Sequence, residues 1–129
     1  MADIHELTEK QRNFYKSIVS VSCPVLGDTV YFTSEGFNHL LYKSHFRPRT
    51  VNERYLKLMC LKYAPRVIEK CEAISKTRLI GKIQLLELVY KVESEKRIRV
   101  IIKKEGAGKY KFLSVMPHDR KSKKRKKSA

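Results

Sequence analysis

Residues 30–71 read VYFTSEGFNHLLYKSHFRPRTVNERYLKLMCLKYAPRVIEKC, and this stretch decides the fold. It predicts a short strand, a helix, a basic linker and a second helical segment, in that order. Thr33 and Ser34 suit the N-terminus of the first helix, because its leading backbone amides need acceptors. Apolar residues then recur at helical spacing, so one face of this helix is apolar. His39 lies away from the centre of that face.

The basic linker spans residues 43–51, where Pro48 prevents the first helix from continuing. Thr50 or Asn52 can cap the helix that follows. An apolar stripe at i, i+3, i+4 and i+7 predicts the buried face of that helix. The stripe consists of Leu56, Met59, Cys60 and Tyr63. Pro65 is tolerated in the first turn of a further helix. A second stripe follows at Val67, Ile68, Cys71 and Ile74.

The segments on either side of this stretch set the fold class. Residues 3–21 show helical spacing. Their β-branched end, from Ile18 to Val21, is compatible with a strand instead of a helix. After about Lys76 the apolar period changes to two, which predicts three strands joined by short turns. On the last strand the alternation places Tyr110, Phe112, Ser114 and Met116 on one side. We therefore expect an α+β fold, in which N-terminal helices pack on one face of a small antiparallel sheet. This sheet would consist of a C-terminal three-strand meander.

The chain is strongly basic, with 29 Lys and Arg against 13 Asp and Glu and a net charge of +16. Residues 119–129 contain seven basic side chains and one acid, which leaves 22 against 12, or +10, in residues 1–118. A body this positive predicts a polyanionic partner, most often nucleic acid. We expect one domain over residues 1–118 and a disordered basic tail over 119–129, which cannot bury apolar area.

Cysteine usage and hydropathy bear on the compartment. Cys23, Cys60 and Cys71 are odd in number and form no CxxC pair, which predicts core thiols in a reducing, cytoplasmic compartment and argues against a metal site. The chain has no apolar run of about 18 residues, so we expect no segment that spans a membrane. We also expect no cofactor.

Two histidines are the first candidates for chemistry. His39 lies in the first helix of the deciding stretch, and His45 follows in the basic linker beside Arg47 and Arg49, which we expect to contact nucleic acid. Imidazoles that titrate near neutrality beside cations are suited to RNA cleavage. Each histidine could equally be an ordinary surface residue.

A row of cations on the middle strand is the second candidate feature. Arg97, Arg99 and Lys103 fall on one face of this strand. The row predicts either a solvated face or a track for phosphate groups. Arginine is the better phosphate clamp, because its planar fork can bond two oxygens.

The last strand supplies three further candidates. Ser114 interrupts an apolar face, where its hydroxyl either bonds locally or lines a site. Tyr110 could stack on a nucleobase. His118 follows the strand and is either a loop residue or a nucleic-acid contact.

The order of elements resembles the phage-associated nucleases grouped with barnase, EndoU, the colicin tRNases and RelE toxins. The resemblance covers about residues 29–117 and is carried by Phe32, His39-Leu40, His45, the run PRVIE at residues 65–69, and Leu113-Ser114-Val115. The last strand departs from the pattern, because it continues into Met116-Pro117 rather than into an aromatic residue. The N-terminal helix and the basic tail are additions to the pattern.

The resemblance implies a barnase/RelE-like fold and a toxin-like endoribonuclease that needs no metal. His39 and His45 would act as acid and base, Arg99 with Lys103 behind it would contact the phosphate, and Ser114 would orient the substrate or a water. The partners implied are RNA, either tRNA or mRNA, and an acidic antitoxin or immunity protein. The alternative is a basic RNA- or DNA-binding protein without catalysis, held by counterion release.

Overall fold

The computed structural model describes residues 3–44, 47–93 and 96–118, and in these residues four of the eight strands follow the last helix. In these residues the helices are α1 (Ile4–Ile18), α2 (Ser34–Leu41), α3 (Val51–Cys60) and α4 (Ala64–Lys70), with a 3₁₀ turn (Leu61–Tyr63) between the last two. The strands are β1 (Ser20–Cys23), β2 (Asp28–Tyr31), β3 (Tyr42–Ser44), β4 (Arg47–Pro48), β5 (Ile74–Ile80), β6 (Ile83–Glu93), β7 (Lys96–Glu105) and β8 (Tyr110–Pro117).

One sheet contains six of these strands in the order β1-β2-β8-β7-β6-β5, and β3 pairs with β4 separately. Strand β2 runs parallel to β8, whereas the other described neighbours in the sheet are antiparallel. A parallel pair requires a long crossover, and here the crossover contains most of the helices and the rest of the meander. The predicted α+β class is confirmed, and the sheet is antiparallel as predicted except at the parallel β2–β8 pair.

The predicted three-strand meander is wrong by one strand, because β5 precedes it and pairs with β6. All seven residues of β5 are exposed, so this strand lacks the apolar alternation that identifies a half-buried strand. Ile74, which the second helical stripe includes, is instead the first residue of β5. Helix α4 ends earlier, at Lys70.

The β-branched segment after α1 takes the strand alternative. Helix α1 ends at Ile18, and the next residues form β1, which pairs with β2 as a hairpin. Val19 joins α1 to β1, and its φ of 61° is rare for a β-branched residue.

The caps of the two central helices differ. Thr50 forms a reciprocal capping box with Glu53 at the start of α3, as the sequence predicts for this position. Thr33 is the N-cap residue of α2, but its hydroxyl makes no cap bond. Thr33 Oγ1 is buried without a hydrogen-bond partner among the described residues.

The apolar core is built on one face of the sheet, where Leu88, Ile98 and Val100 are fully buried. Helix α4 packs against β1, β6 and β7, whereas α2 and α3 contact β8. The three cysteines are buried free thiols, which confirms their predicted place in the core. None of the helices in the described ranges has the length and apolar character to cross a membrane. The predicted disordered tail, residues 119–129, lies outside the described residues.

Candidate functional site

A cavity of about 620 Å³ lies between the helical half and the sheet face that carries Arg99. Four apolar side chains of the sheet also line it: Leu85, Ile101, Leu113 and Met116. The helical half contributes His39 from α2, Arg49 from the linker and Lys57 from α3. The sheet contributes Arg99 from β7 and Ser114 from β8. The other charged side chains of the described lining are Lys76, Arg78 and Glu87. We call this site the cationic cavity, because five Lys or Arg side chains and one carboxylate line it.

Close packing of α2 on β8 fixes the position of His39. A Cβ atom on Gly36 would lie 2.5 Å from the backbone oxygen of Phe112 and 2.5 Å from the Tyr15 hydroxyl oxygen, so glycine permits this approach. Leu40 is fully buried on the same helix. His39 remains half-buried at the cationic cavity, off the apolar face as the sequence indicates.

Arg49 holds the helical side of the cationic cavity together. Its Nε donates to the backbone oxygen of His39 at 2.9 Å, and its Nη2 lies 3.4 Å from His39 Nδ1. Burial lowers the pKa of His39, and the charges of Arg49 and Lys57 lower it further. The imidazole is therefore biased toward its neutral form.

A bulge in β8 brings Ser114 into the cationic cavity. Ile102 pairs with Phe112 and Ile101 pairs with Ser114, so Leu113 is an extra residue on β8. Phe112 and Val115 both remain buried in the core as a result. The prediction that Ser114 shares the face of Phe112 is wrong, because the bulge interrupts the period of two.

Lys57 is the buried cation of this cavity. Lys57 is 9% exposed, and its Nζ donates a hydrogen bond to Ser114 Oγ at 2.8 Å. Burial, followed by the charges of Arg49 and Arg99, lowers the pKa of Lys57 to about 8. No carboxylate in the described part of the chain lies within ion-pair distance of this ammonium.

Arg99 forms the sheet side of the cavity together with a carboxylate. Its Nη1 lies 3.5 Å from Glu87 Oε1, and Glu87 also accepts a hydrogen bond from Ser75 Oγ at 2.8 Å. Arg99 Nε is buried without a hydrogen-bond partner among the described residues. The guanidinium therefore has donor capacity that the described protein groups do not use.

The other predicted contacts lie elsewhere or outside the description. Lys103 forms an ion pair with Glu35 and lines a different, smaller cavity. Tyr110 is half-buried beneath the Lys104 ammonium, which lies 4.7 Å from its ring centroid. The described lining of the cationic cavity does not include Arg47, Arg97, Tyr110 or His118. His45, predicted as an acid or base, lies outside the described residues.

Lys57 is absent from the predicted site, because the predicted apolar stripe of α3 is partly wrong. Leu56 and Met59 are 52% and 40% exposed, although Cys60 and Tyr63 are buried. Tyr63 lies in the 3₁₀ turn, where the angle per residue changes, so its phase cannot be counted back to Leu56. Lys57 lies four residues before the buried Leu61, a spacing that places both on one side of a helix, but a lysine in such a position is normally exposed.

Lys76 and Arg78 are also absent from the predicted site. Both belong to β5, the strand without apolar alternation. Their spacing of two residues would place them on one face of a strand, and that spacing is the available signal.

Comparisons of the chain with protein-family models, with curated proteins and with solved structures found no significant match. The described residues contain no group of three or more His, Cys, Asp or Glu side chains that could hold a metal ion.

Proposed function

We propose that this protein is an endoribonuclease that cleaves RNA by attack of a ribose 2′-oxygen on the adjacent phosphorus, without a metal ion. The observation that carries the proposal is the cationic cavity, where His39 lies with the buried Lys57–Ser114 pair and two arginines. The resemblance to nucleases grouped with barnase and RelE supports the same chemistry. A barnase/RelE-like arrangement of the fold and a cytoplasmic location are part of this proposal.

A phosphodiester fits the charge and the donors of the cationic cavity. Arg49 and Arg99 carry planar guanidiniums, a shape that can bond two phosphate oxygens. A bound phosphate would compete with His39 for Arg49 and with Glu87 for Arg99. Glu87 is the one carboxylate of the described lining, and Arg99 and Ser75 already engage it. The site therefore favours an anion over a cation or a neutral ligand.

His39 is the proposed base of the first bond-making step. Since a guanidinium can only donate, the Arg49 contact occupies the Nδ1 lone pair. A phosphate that draws Arg49 toward its own oxygens frees this lone pair, which then accepts the proton of the 2′-hydroxyl. The 2′-oxygen forms a bond to phosphorus while positive side chains stabilise the charge that builds on the phosphate.

Lys57 is the proposed acid of the bond-breaking step. With a pKa of about 8 its ammonium is charged at neutral pH, yet it gives up a proton more readily than an exposed lysine. The bond from phosphorus to the 5′-oxygen breaks, and that oxygen takes the proton from Nζ. The products are a 2′,3′-cyclic phosphate and a free 5′-hydroxyl. Ser114 orients the ammonium through the bond to Oγ.

A second candidate function is nucleic-acid binding without cleavage. It is favoured by cations that lie away from His39, in the small cavity lined by Lys103, Lys109 and Lys111. Such contacts would hold RNA or DNA through phosphate neutralisation alone. Binding of this kind weakens steeply as salt rises and leaves the nucleic acid intact.

Incubation of the full chain with mixed RNA, with and without a chelator, separates these functions. The nuclease yields fragments that end in 2′,3′-cyclic phosphate in both conditions. We expect His39→Ala to reduce cleavage about hundredfold or more, since loss of acid–base catalysis costs that much, while RNA binding is retained. Lys57→Met should reduce cleavage similarly.

The matched control is His5→Ala, which removes an exposed imidazole from α1. It should cleave at the wild-type rate. Undiminished cleavage by the pure His39→Ala variant would remove this residue from the mechanism. Intact RNA after incubation with the wild-type chain would refute the nuclease and leave the binding protein.

A further inference from the structure

A second cavity, of about 200 Å³, lies on the same sheet face as Arg99. Lys103, Lys109 and Lys111 line it together with Glu105. Lys103 follows Arg99 by four residues on β7, so the period of two places both side chains on one face. Lys103 also pairs with Lys111 across the β7–β8 ladder. We call this site the lysine cavity.

Helix α2 links the two cavities independently of the strand register. Glu35 and His39 are one helical turn apart and therefore lie on the same side of α2. Glu35 pairs with Lys103 of the lysine cavity, whereas His39 lines the cationic cavity. The helix packs on β8, with one of these residues toward each cavity.

We propose that the lysine cavity binds a second phosphate of the same RNA strand whose scissile phosphate occupies the cationic cavity. This inference rests on the proposed function and extends it to the length and form of the substrate. Arg99 and Lys103 are four residues apart along a strand, or roughly 13 Å, which exceeds the step between neighbouring phosphates. The preferred substrate is therefore an extended single strand with at least three successive phosphates.

The lysine cavity has cations available for this contact. Lys109 is exposed, and its ammonium lies 4.7 Å from the centroid of the Tyr31 ring. Lys111 is half-buried on β8. Lys103 already pairs with Glu35, so that carboxylate competes with an incoming phosphate for the same ammonium. Removal of the Glu35 charge should therefore strengthen phosphate binding.

The test measures the affinity of the full chain for 2′-O-methyl oligouridylates with one to five phosphates. The methyl group blocks the attacking oxygen, so binding is measured without cleavage. We expect the affinity to rise in one step of about tenfold at the length at which the oligomer first reaches the lysine cavity. A rise of this size is comparable to one charge-assisted hydrogen bond. Lys109→Ala with Lys111→Ala should remove this step, and Glu35→Gln should enlarge it.

The control is Lys10→Ala with Lys70→Ala, which removes two exposed charges from α1 and α4. This control should retain the step. A smooth rise of affinity with length, equal in the two double variants, would overturn the second phosphate site. Cleavage without the step would refute this inference alone, whereas the step without any cleavage of unmodified RNA would refute the nuclease alone.

Discussion

His39 is the residue on which the proposed acid–base chemistry depends. Burial lowers its pKa from 6.5, and Arg49 is the next largest cause. We expect its ring signals in an NMR titration to move at a pH below 6.5. Arg49→Gln removes a neighbouring positive charge and should raise this pKa, because the charged imidazole then meets less repulsion. An unchanged titration in that variant would show that Arg49 does not act on the ring.

Lys57 should make the stability of the fold depend on pH in the alkaline range. Its pKa falls from 10.5 to about 8 on folding, so the unfolded chain binds the extra proton between these values. The free energy of unfolding should rise by roughly 2 to 3 kcal/mol between pH 7 and pH 10 through this one group. Below pH 8 both states are protonated, and the buried charge costs the folded state stability.

Lys57→Met removes the titrating group and is the reference for this effect. Denaturant unfolding of both proteins at pH 7 and pH 10 isolates the lysine, because other groups titrate equally in each. The gain should be absent from the methionine variant. Equal gains in the two proteins would contradict a lowered Lys57 pKa.

Individual site residues were predictable to different degrees. His39 could be found because it stands off an apolar helical stripe and is followed by cations. Lys57 could not be found in this way, because a lysine between apolar neighbours is normally exposed. Its hydrogen-bond partner Ser114 reaches the cavity through a bulge in β8, and one strand alone does not reveal a bulge.

At the scale of elements, the contact between α2 and β8 positions His39. Gly36→Ala would place a methyl group against the Phe112 backbone oxygen, which cannot move without the strand. We expect a loss of about 1–3 kcal/mol in the free energy of unfolding, as for overpacking in a core. Proposed RNA cleavage should fall with it as α2 shifts.

Asn38→Ala is the matched control, since Asn38 is exposed on the same helix. It should leave the free energy of unfolding within about 0.5 kcal/mol of the wild type. Urea unfolding of the two variants measures the difference. Equal stability of both would mean that α2 does not approach β8 so closely.

The elements with strong periodic signals were the predictable ones. Helices α2 and α3, the Thr50 cap and strands β6 and β7 all follow from apolar spacing or cap chemistry. Strand β5 carries no such signal, because its seven residues are exposed. In the described sheet it lies at the edge and forms its ladder of hydrogen bonds with β6 alone. Pairing with a neighbour, rather than its own sequence pattern, makes it a strand.

At the scale of the whole molecule, composition predicts a positive body but not where its charges meet. The net +10 of residues 1–118 is compatible with many distributions of lysine and arginine. Tertiary packing brings Arg49 from the linker and Arg99 from the sheet to one cavity, although they are 50 residues apart in sequence. That convergence is a long-range property which no local pattern contains.

The central claim is that His39 and Arg99 face the same phosphate across the cationic cavity. An NMR titration with a 2′-O-methyl dinucleotide tests this most directly, by following the His39 ring and the Arg99 Nε–H in one experiment. We predict that both signals shift with the same dissociation constant and that the His5 ring does not. A shift at Arg99 with no change at His39 would contradict the shared site.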